Sequence, residues 1–202
     1  MDSLWKINKI NIFNLKLKKS PDLLINFKNK ENNPIFYTIK YNNFFLNLKS
    51  KIKENSLLKI FNDKKIKNFL SKQIKKDNYN LIINCSGSNL ISKKFFFKKI
   101  NKDYNALAFT TTIKHKKISN HIASQFFTEL GPMAFLPISE NCTSVIWSVK
   151  LYNKKYKNFF SNKIIKNKIK ELFPLKSDKI TFSLIKKFNL NFLIPKEYYK
   201  KN

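Results

Sequence analysis

His115 and His121 are the only histidines in the chain. Histidine titrates near neutrality and serves most often as a general acid or base, so these two are the first places to look for proton transfer. No carboxylate is recognisable beside either ring, because Asp103, Glu129 and Glu140 are scattered. An isolated histidine without an orienting partner seldom does catalysis. Both are therefore expected at the surface or at a cap, and no catalytic residue is assigned. Cys85 and Cys142 lie far apart with no CxxC pairing. A structural zinc site needs a tighter ligand set, so no metal site is expected, and both thiols are read as small buried hydrophobes.

The two glycines, Gly87 and Gly131, set a sharper limit. A dinucleotide-binding GxGxxG turn needs three glycines in six residues, because the backbone must approach the pyrophosphate closely and turn at once into a helix. A Walker-type loop needs two glycines five positions apart. Neither pattern fits two glycines so widely separated. Any nucleotide cofactor must be held mainly by something else.

The elements that would position these residues are mostly strands. Ile10, Ile12, Leu15 and Leu17 alternate with polar neighbours, and Leu23 to Phe27 follows after a turn at Ser20 and Pro21. Asn33-Pro34 marks a turn before Ile35 to Ile39. Tyr41, Phe44, Phe45, Leu48 and Ile52 fall at helical spacing, predicting a helix that packs one apolar face and covers the other with lysines. Short strands are expected at Leu57 to Phe61 and Phe69 to Ile74, and a buried strand at Tyr79 to Cys85. Four more follow at Ala106 to Ile113, Ile122 to Phe127, Met133 to Leu136 and Thr143 to Val149. Tyr156, Phe160, Ile164, Ile169 and Leu172 predict a second amphipathic helix, and a β-rich stretch from Ile180 to Leu193 ends at Pro195. The expected class is α+β, a mostly antiparallel sheet with two or more amphipathic helices on one side. There is no internal repeat and no linker long enough to divide the chain, so residues 1–202 are read as one partial domain.

With 202 residues, 43% of them hydrophobic and 15% aromatic, the chain has enough apolar material for one sizeable core. Its 41 basic residues stand against 12 acidic ones, a formal net charge of +29. Such a balance suggests nucleic acid or an anionic membrane as partner. All the basic residues are lysine, however, and phosphate- and base-reading proteins usually also use the planar guanidinium of arginine. Asn, Lys, Ile and Phe crowd every segment, as in a genome rich in A and T, and nucleic acid is not the expected partner. No signal peptide or membrane-length apolar run is recognisable, so a cytoplasmic location is expected, at most touching the inner membrane from outside.

Two segments resemble one family. Asn80 to Lys93, reading NLIINCSGSNLISK, is similar to the stretch D-L-V-V-x-A-D-G-x-x-S-x-x-R of flavin-dependent aromatic hydroxylases of the para-hydroxybenzoate hydroxylase type. Gly87 stands at the motif glycine and Lys93 at the arginine. His121 to Val149, reading HIASQFFTELGPMAFLPISENCTSVIWSV, resembles the ubiquinone-biosynthesis branch, with A-x-Q-x-F-x-x-x-G-P-x-A-x-L-P followed by a strand ending V-W-T-V. The matching residues are Gln125, Phe127, Gly131, Pro132, Ala134, Leu136, Pro137 and Trp147. Ile35 to Leu48 also resembles the family's approach to its helix.

This resemblance implies a hydroxylase in which NAD(P)H reduces FAD and the reduced flavin's hydroperoxide oxygenates a phenol ring, with the protein supplying position and dryness. It implies the substrate domain of a PHBH-type flavoprotein, roofing the isoalloxazine and walling a pocket for an aromatic polyprenyl substrate. Within it, Ser86, Gly87 and Lys93 would contact cofactor, and Gln125, Phe127 and Pro132 would line the pocket. It covers about the middle half of a full enzyme. The GxGxxG and G-D-A-A-H flavin motifs are expected outside these residues, on a separately encoded flavin-binding portion or other ubiquinone-biosynthesis proteins. FAD and NAD(P)H are not expected to bind this chain alone. Ser86 replaces the motif aspartate and Leu90 the motif serine, removing a charge that would help hold the cofactor. Two other readings stand beside this one: an inactive remnant, and a basic module for RNA or anionic lipid.

Overall fold

The computed structural model of the protein describes residues 4–15, 21–29, 31, 33–58, 80–87, 89–151, 160–174 and 179–199. Among them the elements run β1 (Leu4–Ile7), β2 (Lys9–Asn14), β3 (Asp22–Lys28), β4 (Phe36–Ile39), α1 (Tyr41–Glu54), α2 (Leu90–Phe95), β5 (Lys99–Lys114) and β6 (Ile122–Thr128). Then follow β7 (Gly131–Ser139), β8 (Cys142–Lys150), α3 (Asn162–Leu172), β9 (Thr181–Phe182) and β10 (Lys186–Pro195). The class is α+β, dominated by strands. The chain divides into two compact units, Met1–Leu46 with Tyr104–Leu190, and Asn47–Asp103 with Asn191–Asn202.

The first unit is built on a sheet of strand order β10-β5-β8-β7-β6-β2-β3, with β9 pairing β5 as well. Strands β5, β8, β7 and β6 are antiparallel neighbours in that order, with short turns joining β6 to β7 and β7 to β8, whereas β2 lies parallel to β6 and antiparallel to β3. Period-two alternation sorts the two faces. On β8, Val145, Trp147 and Val149 are buried, and Ser144, Ile146 and Ser148 are half-buried on the opposite side. The buried face joins Leu107, Phe109, Phe126, Met133 and Phe135 in one core. Phe126 meets Phe135 edge-on at 5.7 Å between ring centroids, and Trp147 meets Phe160 the same way at 5.8 Å.

Helix α3 closes that core. Ile165, Ile169 and Leu172 recur at i, i+4 and i+7, the stripe that must be buried, and all three are. Its first turn is capped by Ser161, whose hydroxyl accepts from the Ile164 N–H. The cap stops the helix short of the predicted start: Phe160 precedes it and packs as a separate ring, while Tyr156 lies outside the described residues. Ile164, expected on the apolar stripe, is 38% exposed, and its neighbour Ile165 takes the buried position. Strands β1 and β4 pair separately as a two-stranded sheet, tied to the main sheet by the Thr38 hydroxyl donating to the Pro137 carbonyl at 2.6 Å.

Three local expectations need correction. Tyr79 to Cys85 is not a buried strand: residues 81–86 have no regular structure, and Leu81 and Ile83 are 75% and 78% exposed. An apolar run becomes a strand only when a neighbour completes its ladder, and no described strand pairs with this one. Helix α1 forms as predicted, but none of its residues is buried, so its apolar face is not packed. Leu57 begins as a turn closed by Asn55, not a strand. The rest of that segment, and Phe69 to Ile74, lie outside the described residues.

Candidate functional site

The residues singled out in the sequence fall into two groups, one in each compact unit. In the first unit, Gln125 and Phe127 share the sheet face opposite α3, as their spacing of two on β6 requires. Across the ladder Phe127 pairs with Pro132, Gln125 with Ala134, and Ala134 in turn with Ile146 on β8. Ile146 pairs with Thr110 on β5, and on the other flank Gln125 lies beside Ile12 of β2. The result is a wall of apolar and small side chains carrying two amides, Gln125 and, beside Phe127 on β2, Asn14. Phe127 is 37% exposed, so an aromatic face is available on it. Such a wall can lie against a planar ring, with Gln125 offering both a donor and an acceptor to a ring substituent.

Gly131 makes this geometry possible. It opens β7 at φ +133°, a conformation L side chains rarely adopt, and a Cβ there would fall 2.1 Å from the Ser148 carbonyl oxygen. The tight β6–β7 connection that sets Phe127 opposite Pro132 therefore depends on glycine. The Thr128 hydroxyl, donating to the Gly131 carbonyl at 2.6 Å, pins the same turn.

One histidine is not where it was expected. His115 is buried and held in a polar network beneath the sheet's end. Its Nδ1 donates to the Lys116 carbonyl at 2.8 Å, so its Nε2 accepts from the Thr143 hydroxyl at 3.0 Å. Asn120 donates to Thr143 Oγ1 at 3.0 Å and to the Ser139 carbonyl at 2.7 Å. Every partner is a backbone carbonyl, hydroxyl or amide, so the cluster satisfies buried polar groups and has no carboxylate for catalysis. His121 stacks on Trp5 at 4.7 Å and donates to the Lys6 carbonyl, a packing role near the surface. Cys142 is buried as expected, which pushes its thiol pKa up; Lys40 and Lys114 oppose the shift. Cys85 is exposed, not buried.

In the second unit, Ser86 and Gly87 precede α2 and Lys93 lies on it, all three exposed, and the two turn carbonyls are engaged. The Ser86 carbonyl accepts from the Ser92 hydroxyl and from Asn84 Nδ2, and the Gly87 carbonyl accepts from the Lys99 ammonium. Asn84 Oδ1 takes the Asn89 amide at 2.7 Å, and Asn89 Oδ1 caps α2 through the Ser92 N–H at 2.9 Å. Asn84, Asn89 and Ser92 thus shape this turn. The sequence reading singled out none of the three; the N-cap spacing of Asn89 and Ser92 is the signal that could have found two of them. A Cβ on Gly87 would meet nothing closer than Leu193 at 3.5 Å, so no close backbone approach demands glycine here. An open cavity of about 920 Å³ lies beside the turn, lined by Ile82, Cys85, Ile91, Phe95, Leu193 and Tyr198 among others; Lys93 does not line it. The Ser86 and Gly87 carbonyls are already bonded, and the turn has no glycine-rich cradle of the kind that receives a pyrophosphate. Among the described residues no group of three His, Cys, Asp or Glu could hold a metal, and no helix is long and apolar enough to cross a membrane.

No protein-family model matches the chain. A stretch of 70 residues, 34% of the chain, is 31% identical to the ubiquinone biosynthesis monooxygenase COQ6, mitochondrial, of Xenopus tropicalis. The matched stretch spans only about 15% of the length of that relative.

Proposed function

We propose that this chain supplies the substrate-side wall of an aromatic-ring hydroxylase of the ubiquinone-biosynthesis type, akin to the substrate domain of a PHBH-type flavoprotein. The similarity to a ubiquinone biosynthesis monooxygenase carries the reading. The open sheet face supports it. Phe127 and Pro132 offer apolar contact to a phenol ring, and Gln125 offers a hydrogen bond to a ring oxygen, while Ala134 and Ile146 keep the wall flat and dry. FAD and NAD(P)H would be held by a separate flavin-binding portion, in keeping with the committed polar groups at Ser86 and Gly87. The chain's own share is to place an aromatic polyprenyl substrate and exclude water around its ring.

Calorimetric titration of the chain with a short-prenyl hydroxybenzoate tests the reading. Saturable binding is expected, weakened about tenfold or more by Phe127→Ala and by Gln125→Ala, in line with loss of one good contact each. A full set of variants that bind as the parent does, or a parent that does not bind, would remove the open face from the function. A visible absorbance scan after adding FAD to the chain alone is expected to show no stoichiometric bound flavin.

A further inference from the structure

Helix α1 carries an apolar face that no described residue buries. Tyr41, Phe44, Phe45, Leu48 and Ile52 fall within one arc of about 100° at 100° per residue, and Tyr41, Phe44, Phe45 and Leu48 are 74%, 51%, 48% and 45% exposed. Lys49 borders this arc on one side and Lys51 on the other, with Lys53 beyond Lys49. The far side carries Asn42, Asn43, Asn47 and Ser50, with Leu46 as one exposed apolar residue among them and Glu54 as the helix's single acid. Glu54 pairs with Lys51 at 2.9 Å, but both side chains are exposed and the pair is worth little.

We propose that α1 is an interfacial helix that lies in the headgroup plane of an anionic phospholipid bilayer. Aromatic and leucine side chains enter the acyl boundary, while the flanking lysines reach back to the phosphates along their own apolar stems. Charge complementarity selects this occupant: lysines rim both edges of the face, and the whole chain carries a formal net charge of +29. Among the described residues the helix has no buried side chain to support it. Fourteen residues make a marginal helix unless an amphipathic face is packed, and a bilayer surface supplies that packing. The inference goes beyond the hydroxylase reading, since its test needs neither flavin nor aromatic substrate.

The experiment is flotation of the full chain with vesicles of phosphatidylcholine and phosphatidylserine in a ratio of about 7:3, with pure phosphatidylcholine in parallel. Preferential binding to the anionic vesicles is expected. The triple variant Phe44→Gln/Phe45→Gln/Leu48→Gln should lose about tenfold or more in partitioning, and Lys49→Gln/Lys51→Gln/Lys53→Gln should lose less, and chiefly at low salt. All six positions are exposed, and a far-ultraviolet circular dichroism spectrum checks that each variant remains folded. Undiminished binding by the apolar triple variant would overturn the proposal, because lysines elsewhere would then suffice. So would a parent that ignores anionic vesicles. Light scattering without lipid adds a third decisive result: a dimer that the apolar variant converts to monomer would make the face a protein–protein surface and overturn the lipid assignment.

Discussion

At the scale of single residues, the chain's two glycines have opposite meanings. Gly131 sits at positive φ with a carbonyl oxygen where a Cβ would be, whereas Gly87 has ordinary space around it. Gly131→Ala is therefore expected to destabilise the fold by about 3 kcal/mol or more, through backbone strain and displacement of β8. Gly87→Ala should stay within about 0.5 kcal/mol, as substitutions at open positions do. Urea unfolding of both variants checks the contrast, and equal losses would show that the β6–β7 turn relaxes more freely than its geometry allows. The family pattern in the sequence marked both positions alike; only the atoms around them separate a required glycine from a tolerated one. Trp147 shows the same limit. Its place in the V-W motif was legible, but not that its indole N–H is buried with no partner in the core, a cost the ring's packing against Phe109 and Phe160 must offset.

At the scale of elements, periodicity located strands β2 to β8 and both long helices because side-chain spacing is a local property of the backbone. It did not decide which apolar faces are covered. Helices α1 and α3 show equally clear stripes, yet Ile165, Ile169 and Leu172 are buried and the stripe of α1 is exposed. Ile169→Ala is accordingly expected to cost about 2–5 kcal/mol, the range for deleting a fully buried aliphatic side chain. Leu48→Ala on α1 should cost under about 1 kcal/mol, since it opens no cavity and alanine is at least as good a helix former. Denaturant midpoints of the two variants test this, and comparable losses would mean that α1 is packed in solution. The stretch Leu81 to Cys85 failed for a related reason. Its composition reads as a buried strand, but the ladder partner that would make it one is not among the described strands.

At the scale of the whole molecule, a formal net charge of +29 on 202 residues makes self-repulsion a standing cost of the compact state. The screening length falls from about 30 Å at 0.01 M salt to about 8 Å at 0.15 M. The thermal midpoint should therefore rise with salt over that range, and each kcal/mol gained would appear as about 2–4 °C. A flat response by circular dichroism would mean that the lysines are already spread widely enough not to interact. The amino-acid sequence alone determined the α+β class, the places of strands β2 to β8, the lack of a dinucleotide-binding turn and the sharing of one sheet face by Gln125 and Phe127. Each follows from composition or from the two- and 3.6-residue periods. Only the tertiary structure decided that His115 is buried in a carboxylate-free network, that the carbonyls of Ser86 and Gly87 are already bonded, and that no described residue buries the apolar face of α1. Burial and hydrogen-bond partnership depend on what distant segments bring to a residue, and no local spacing encodes that.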